Sequence, residues 1–129
     1  RFGRGLRFLG KVGSEQIVDA MLESHVYVMA SHVENSPNNL AEAQVVGMPC
    51  IATDVGGTST YLKNEHSGLL IPSGDAYAMA GALQRLFENR TLACELAAKA
   101  REEAVVRHDV GRVKGQVKHT YDTLLNKTR

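Results

Sequence analysis

Two carboxylates, Glu34 and Glu42, stand either side of the seven residues Asn35-Ser36-Pro37-Asn38-Asn39-Leu40-Ala41. The apolar run from Val26 to Ala30 precedes them and reads as a buried strand, and Leu40 to Val46 follows as helix. Ser36 is the expected N-cap. Pro37 is the expected first helical residue, since an amide there has no intrahelical partner to lose. Strand, polar loop and helix N-terminus together form the place where an open α/β sheet receives an anion. Free backbone N–H groups and the positive end of the helix dipole face it. A carboxylate beside such a place can accept hydroxyl hydrogen bonds, and bonds to a charged acceptor are the strong kind. Taken alone, a loop glutamate such as Glu34 is usually a solvated charge, and Glu42 reads as an exposed helical acid.

The elements that must position these residues follow a βαβ rhythm. Leu6 to Leu9 reads as a first strand, and Ser14 as the cap of a helix with Ile17, Val18, Met21 and Leu22 on one face. Cys50 to Thr53 is continuously apolar, as a strand covered on both faces should be. Gly56-Gly57 is a turn, with a short helix through Tyr61 and Leu62. Ser67-Gly68 leads into a strand at Leu69 to Ile71. Asp75 caps a helix whose apolar face is Ala78, Met79, Ala82, Leu83, Leu86 and Phe87, and Thr91 caps the next, running to about Arg107. A last helix from about Val110 to Leu125 carries the stripe Val113, Val117, Tyr121 and Leu124. Strands starting roughly 20 residues apart with helices between them predict a parallel sheet with right-handed crossovers. The expected fold class is therefore α/β, Rossmann-like, three-layered, with about four strands and trailing C-terminal helices.

Four segments in this order resemble the donor domain of retaining GT-B glycosyltransferases of family 4, the glycosyl transferases group 1. They are the Glu34/Glu42 pair after Ser31; Gly47-Met48-Pro49; Cys50-Ile51-Ala52-Thr53-Asp54-Val55-Gly56-Gly57; and Ser67-Gly68-Leu69-Leu70-Ile71-Pro72 with Asp75. The similarity runs from about Phe8 to the C-terminus. It implies transfer of a sugar from a UDP-, GDP- or ADP-sugar to an acceptor hydroxyl with retention, by departure and attack on one face of the sugar. It also implies that Glu34 holds sugar hydroxyls or stabilises an oxocarbenium-like transition state, without acting as a nucleophile. Glu42 would hold the ribose hydroxyls. The Asn38, Asn39 and Leu40 amides, with Asn35 and Ser36, would face the diphosphate or sugar.

Ser31 either touches the nucleotide or merely caps the strand end. Gly56 and Gly57 are a structural turn first and ligand contacts second. The family often places a glutamate three positions after the second glycine, where this chain has Thr60. Its acceptor-binding N-terminal domain and its basic diphosphate-binding residues would lie outside the chain, and neither Arg4 nor Lys11 matches the latter. Lacking an initiator Met, the chain reads as a piece of something longer. Residues 1–129 would be a partial donor domain, inactive as a transferase alone and binding nucleotide weakly. The acceptor, a glycan, lipid or small molecule, would sit on the other domain. The alternatives are a non-catalytic α/β module for binding or assembly and a GT-B sugar-nucleotide epimerase.

Bulk properties narrow the classes. At 129 residues the chain can bury a core as one domain, and a net charge of +1 offers no strong field to nucleic acid or a membrane surface. No apolar run approaches the ~18 residues of a transmembrane helix, and there is no secretory signal pattern. Cys50 and Cys94 are expected as reduced core thiols of a cytoplasmic protein; the full-length protein could still attach to the inner face of a membrane. Neither cofactor nor metal is expected, because the five histidines are scattered and lack ligand spacing. His32, near the motif, reads as a surface residue. The basic residues of the last two helices, Arg101, Arg107, Arg112, Lys114, Lys118, Lys127 and Arg129, read as solvated faces. The Leu6 strand edge and the last helix's stripe are expected to favour self-association.

Overall fold

The computed structural model of the protein describes residues 5–127, with the side chain of Lys127 left aside. Arg4 and Arg129 lie outside the described residues. The order of elements is α1 (Ser14–Leu22), β1 (Tyr27–Met29), α2 (Asn38–Val46), β2 (Cys50–Thr53), α3 (Thr58–Tyr61), β3 (Leu69–Ile71), α4 (Ala76–Glu88), α5 (Arg90–Arg107) and α6 (Val110–Lys127). The three strands form one parallel sheet in the order β1-β2-β3. Tyr27 is opposite Cys50, Met29 opposite Ala52, and Ile51 opposite Leu69. β2 is buried at every position because it is the middle strand with helices on both faces.

Strand alternation sorts the apolar residues into two cores. Met29, Cys50 and Ala52 join Met21, Leu40, Ala43, Met48 and Leu62 on the α1/α2 face. Ile51, Leu69 and Ile71 join Leu86, Ala93 and Leu96 on the α4/α5 face. Ala97, Ala100 and Ala104 continue the buried stripe of α5, and their small side chains let that helix lie close beside α2. α2 closes on Gly47, whose φ of +92° is the left-handed C-cap conformation that glycine adopts without steric cost.

Several expectations need correction. Leu6 to Leu9 forms no strand: Leu6, Phe8 and Leu9 are exposed and β1 pairs only with β2, so three strands rather than four are present among the described residues. An apolar run without a neighbouring ladder has nothing to satisfy its backbone groups as a strand. Ser14 is the first helical residue of α1. Gly13 precedes it as N-cap, and its amide donates to Gln16 Oε1 at 3.0 Å. α5 is capped by Asn89, not Thr91; its side-chain oxygen accepts from the Leu92 amide at 3.0 Å. Val18, Leu22 and Phe87 are exposed, although the helical pattern placed them on buried faces. Cys94 is exposed too, leaving Cys50 as the core thiol, which burial pushes up to about 12. The cap at Asp75 follows from the local pattern and the apolar stripe of α6 is exposed, while Asp109, whose carboxylate accepts from the Arg112 amide at 2.7 Å, caps α6 without having been singled out in the sequence.

Candidate functional site

Tyr27, Met29 and Ser31 recur at every second position and so share one face of β1 and its extension. With Glu34, Pro37, Asn38 and Asn39 they line a cavity of about 230 Å³. Ser31 and Glu34 are half-buried there, while Asn38 and Asn39 are exposed at its mouth. Glu34 Oε1 accepts a hydrogen bond from the Asn35 amide at 3.0 Å, which turns the carboxylate back along its own loop.

α2 starts one residue later than the capping pattern suggests. Pro37 is the N-cap and no side chain caps the helix; the Pro37 carbonyl accepts from the Ala41 amide at 3.1 Å. Ser36 is therefore not the cap. Its hydroxyl is 2.8 Å from the Tyr61 hydroxyl, a partner 25 residues away that no local rule could supply. The first-turn amides of α2 are thus left open at the cavity rim. Among the described helices longer than one turn, α2 alone has no side chain engaging its start: Gln16, Asp75, Asn89 and Asp109 serve the others.

Glu42 is exposed although its neighbours Ala41 and Ala43 are buried. Burial, then the Cys50 thiol and the Glu34 and Glu42 carboxylates, push the Tyr27 phenol up to about 12. Glu42 is not among the residues that line the cavity holding Glu34. Sequence reasoning missed Tyr27. The signal available was its position two and four residues before Met29 and Ser31, in phase with the site.

The glycine turn holds the loop in place. Gly56 has φ +51°, and a Cβ there would fall 1.7 Å from the Glu34 carbonyl oxygen; at Gly57 it would fall 2.0 Å from that of Asn35. The Gly57 amide reaches the Glu34 carbonyl at 3.4 Å. Only residues without a Cβ allow the two main chains to pass so close. Leu40 is fully buried under the helix start and packs in the α1/α2 core, so only its backbone can serve a ligand. Thr60 turns back to its own segment, donating to the Gly57 carbonyl at 2.7 Å. His32 lies outside the cavity; its Nδ1 is 2.9 Å from Ser73 Oγ.

Among the described residues, no group of three or more His, Cys, Asp or Glu side chains is placed to hold a metal, and no helix is long and apolar enough to cross a membrane.

A family model described as Glycosyl transferases group 1 matches residues 2–121. A phosphatidyl-myo-inositol mannosyltransferase of Mycobacterium leprae is 35% identical over 121 residues, covering 92% of this chain and 32% of that protein. Sucrose-phosphate synthase of Thermosynechococcus elongatus is similar in structure with a TM-score of 0.88 at 29% identity, over 97% of this chain and 31% of that one. Anabaena HepE, solved in complex with UDP and glucose, is similar with a TM-score of 0.87 over 94% of this chain and 33% of that one; at 22% identity that likeness is one of fold. The chain spans between 22% and 32% of the length of the first curated relatives it matches.

Proposed function

The chain belongs to the glycosyl transferases group 1 family, and from that premise we propose that it forms the donor side of an enzyme that moves a sugar from a nucleotide diphosphate sugar to an acceptor hydroxyl with retention of configuration. The observation that carries the reading is the cavity where Glu34 meets the uncapped start of α2. Open amides and the helix dipole favour a diphosphate, and the half-buried carboxylate favours hydroxyls beside it. A related fold holds UDP and glucose in HepE, which supports a nucleotide-sugar donor here.

In this reading the Asn38, Asn39 and Leu40 amides receive phosphate oxygens. Glu34 binds sugar hydroxyls and stabilises positive charge developing at the anomeric carbon, a role that needs a fixed carboxylate already oriented before reaction. Glu42, exposed on the next turn, takes the ribose hydroxyls. Asn35 and Ser36 shape the sugar end, and Ser31 lies at the cavity wall. Gly56 and Gly57 act by positioning the Glu34 loop, with no direct contact required. No metal or cofactor takes part. The acceptor and the basic groups that balance the diphosphate belong to parts of the protein outside this chain, so the chain alone transfers no sugar.

Titration of UDP, GDP and ADP into the protein, followed by amide NMR shifts, tests this. Shifts clustered at Ser31, Glu34, Asn38 to Glu42 and Gly56 for at least one nucleotide are expected. If all three leave those amides unmoved at millimolar concentration, this chain does not bind donor by itself. In that case the Glu42→Ala variant of the intact enzyme decides: an unchanged donor KM removes Glu42 from the site.

A further inference from the structure

We infer that Tyr61 is a positioning residue for the loop that carries Glu34, acting through its hydroxyl on Ser36. The segment from Gly56 to Tyr61 meets this loop twice. The glycines press on the main chain of Glu34 and Asn35, and the Tyr61 hydroxyl meets Ser36 Oγ at 2.8 Å. Among the described residues, Ser36 is the one side chain between Val33 and Asn39 that hydrogen-bonds to another segment. Without that bond, the stretch between the glycine contact and the start of α2 has no side-chain tether.

Tyr61 itself is fixed by groups other than its hydroxyl. Its carbonyl accepts from Gln44 Nε2 at 2.7 Å and from Arg107 Nη1 at 3.4 Å. Arg107 Nη2 donates to Gln44 Oε1 at 2.6 Å, and Gln44 is fully buried. The Arg107 guanidinium lies 4.6 Å from the centre of the Tyr61 ring, and the His108 ring stacks on Tyr61 at 6.1 Å. Burial pulls the Arg107 pKa down, and nearby Tyr61 and the Glu103 carboxylate oppose that pull. Neutral acceptors and a π face take up its donors instead of a direct ion pair. Ring and carbonyl therefore hold Tyr61 against α2 and the end of α5. Its hydroxyl is free to do one thing, which is to set the place of Ser36. A tether anchored this way is preorganised: it needs no reordering when a ligand arrives.

The role given to the loop rests on the donor-site reading, whereas the tether does not, and the experiment separates them. Tyr61→Phe, Ser36→Ala, their double variant and Ser36→Thr are compared by amide hydrogen exchange without ligand. Each single variant should speed exchange at Asn35 and Gly57 by about fivefold, the factor one neutral hydrogen bond is worth. The double variant should add nothing further, and Ser36→Thr, which keeps a hydroxyl, should restore protection. Amides of β2 and α5 should not change. Unaltered exchange at Asn35 and Gly57, additive effects in the double variant, or lost protection throughout β2 would each overturn the inference. The nucleotide titration is then repeated. If the parent protein binds, Tyr61→Phe should weaken binding by about the same factor, and equal affinity overturns the positioning role. If the parent binds none of the three nucleotides, the donor-site reading for this chain fails and the tether is judged on exchange alone.

Discussion

The two faces of β1 open into crevices of similar size and opposite chemistry. One, of about 230 Å³, holds Ser31, Glu34, Asn38 and Asn39. The other, of about 250 Å³, holds Ala30, His32, Thr53, Ile71, Pro72 and Met79 around the start of α4. Each lies at a helix N-terminus, yet the two termini are not equivalent. At α4 the Asp75 carboxylate accepts from the Ala78 amide at 2.8 Å, so the helix start already carries its own negative charge. At α2 the N-cap is Pro37, and the charge that would satisfy the helix start has been left for something else to supply. A helix dipole alone does not make an anion site; the absence of a side-chain acceptor on the helix-start amides does as much.

The strongest way to break the contrast is to disturb the loop that separates it from an ordinary turn. Gly56→Ala would set a Cβ against the Glu34 carbonyl in a left-handed backbone. It should cost roughly 3 kcal/mol of stability by denaturant midpoint, as steric conflict at a special φ does. Gly81→Ala, in open space on α4, should be neutral or slightly stabilising. A Gly56→Ala protein of parental stability would mean that the turn does not press on the loop.

The next comparison sets the crevices against each other chemically. In the intact enzyme, Glu34→Gln should lower kcat by roughly a hundredfold, the range for loss of one preorganised electrostatic group. His32→Ala in the other crevice should leave kcat within about twofold. Equal losses would erase the distinction between the two sides of β1.

A smaller effect sharpens the glycine segment. Thr58 is fully buried, and its Oγ1 finds no hydrogen-bond partner among the described residues. Thr58→Val keeps the shape and removes a buried unpaired hydroxyl. Thermal melting should show the variant as stable as the parent or up to about 1 kcal/mol more so. A clear loss would show that the hydroxyl is satisfied in solution.

The smallest effect is one of pH. Burial, then the Arg107 charge, lowers the His108 pKa below its ordinary 6.5. The unfolded chain then takes up a proton more readily than the folded one. Stability from this group is present above about 6.5 and lost as pH falls from there through the folded value. Because His108 is largely exposed, the loss is slight. His108→Asn should remove that part of the slope of denaturant midpoint against pH; an unchanged slope would assign it elsewhere.

Much of the frame was legible because it is local. β2 and β3 were bounded by their apolar runs and the turns beside them, and Asp75 announced its helix three residues ahead of the amide it caps. Glu34 and Glu42 pointed at one loop only together with the three segments that follow them in the chain. The caps of α1 and α5 were misplaced by one or two residues within the same local rule, whereas two other misreadings turned on the rest of the molecule. Ser36 had the composition of a cap, but Tyr61 offered its hydroxyl. Leu6 to Leu9 had the composition of a strand, but no ladder stands beside it.

The succession of β1, β2 and β3 with helices between them, and their parallel sense, were fixed by the chain itself, since they depend on periodicity and on the connections between neighbouring elements. Which helix start stayed open, and that glycines and Tyr61 grip one loop, were decided only by the folded molecule. Those relations join segments some 20 to 60 residues apart, as in the Ser36–Tyr61 and Gln44–Arg107 bonds. Packing brings such segments together, and no short-range pattern encodes the distance at which they meet.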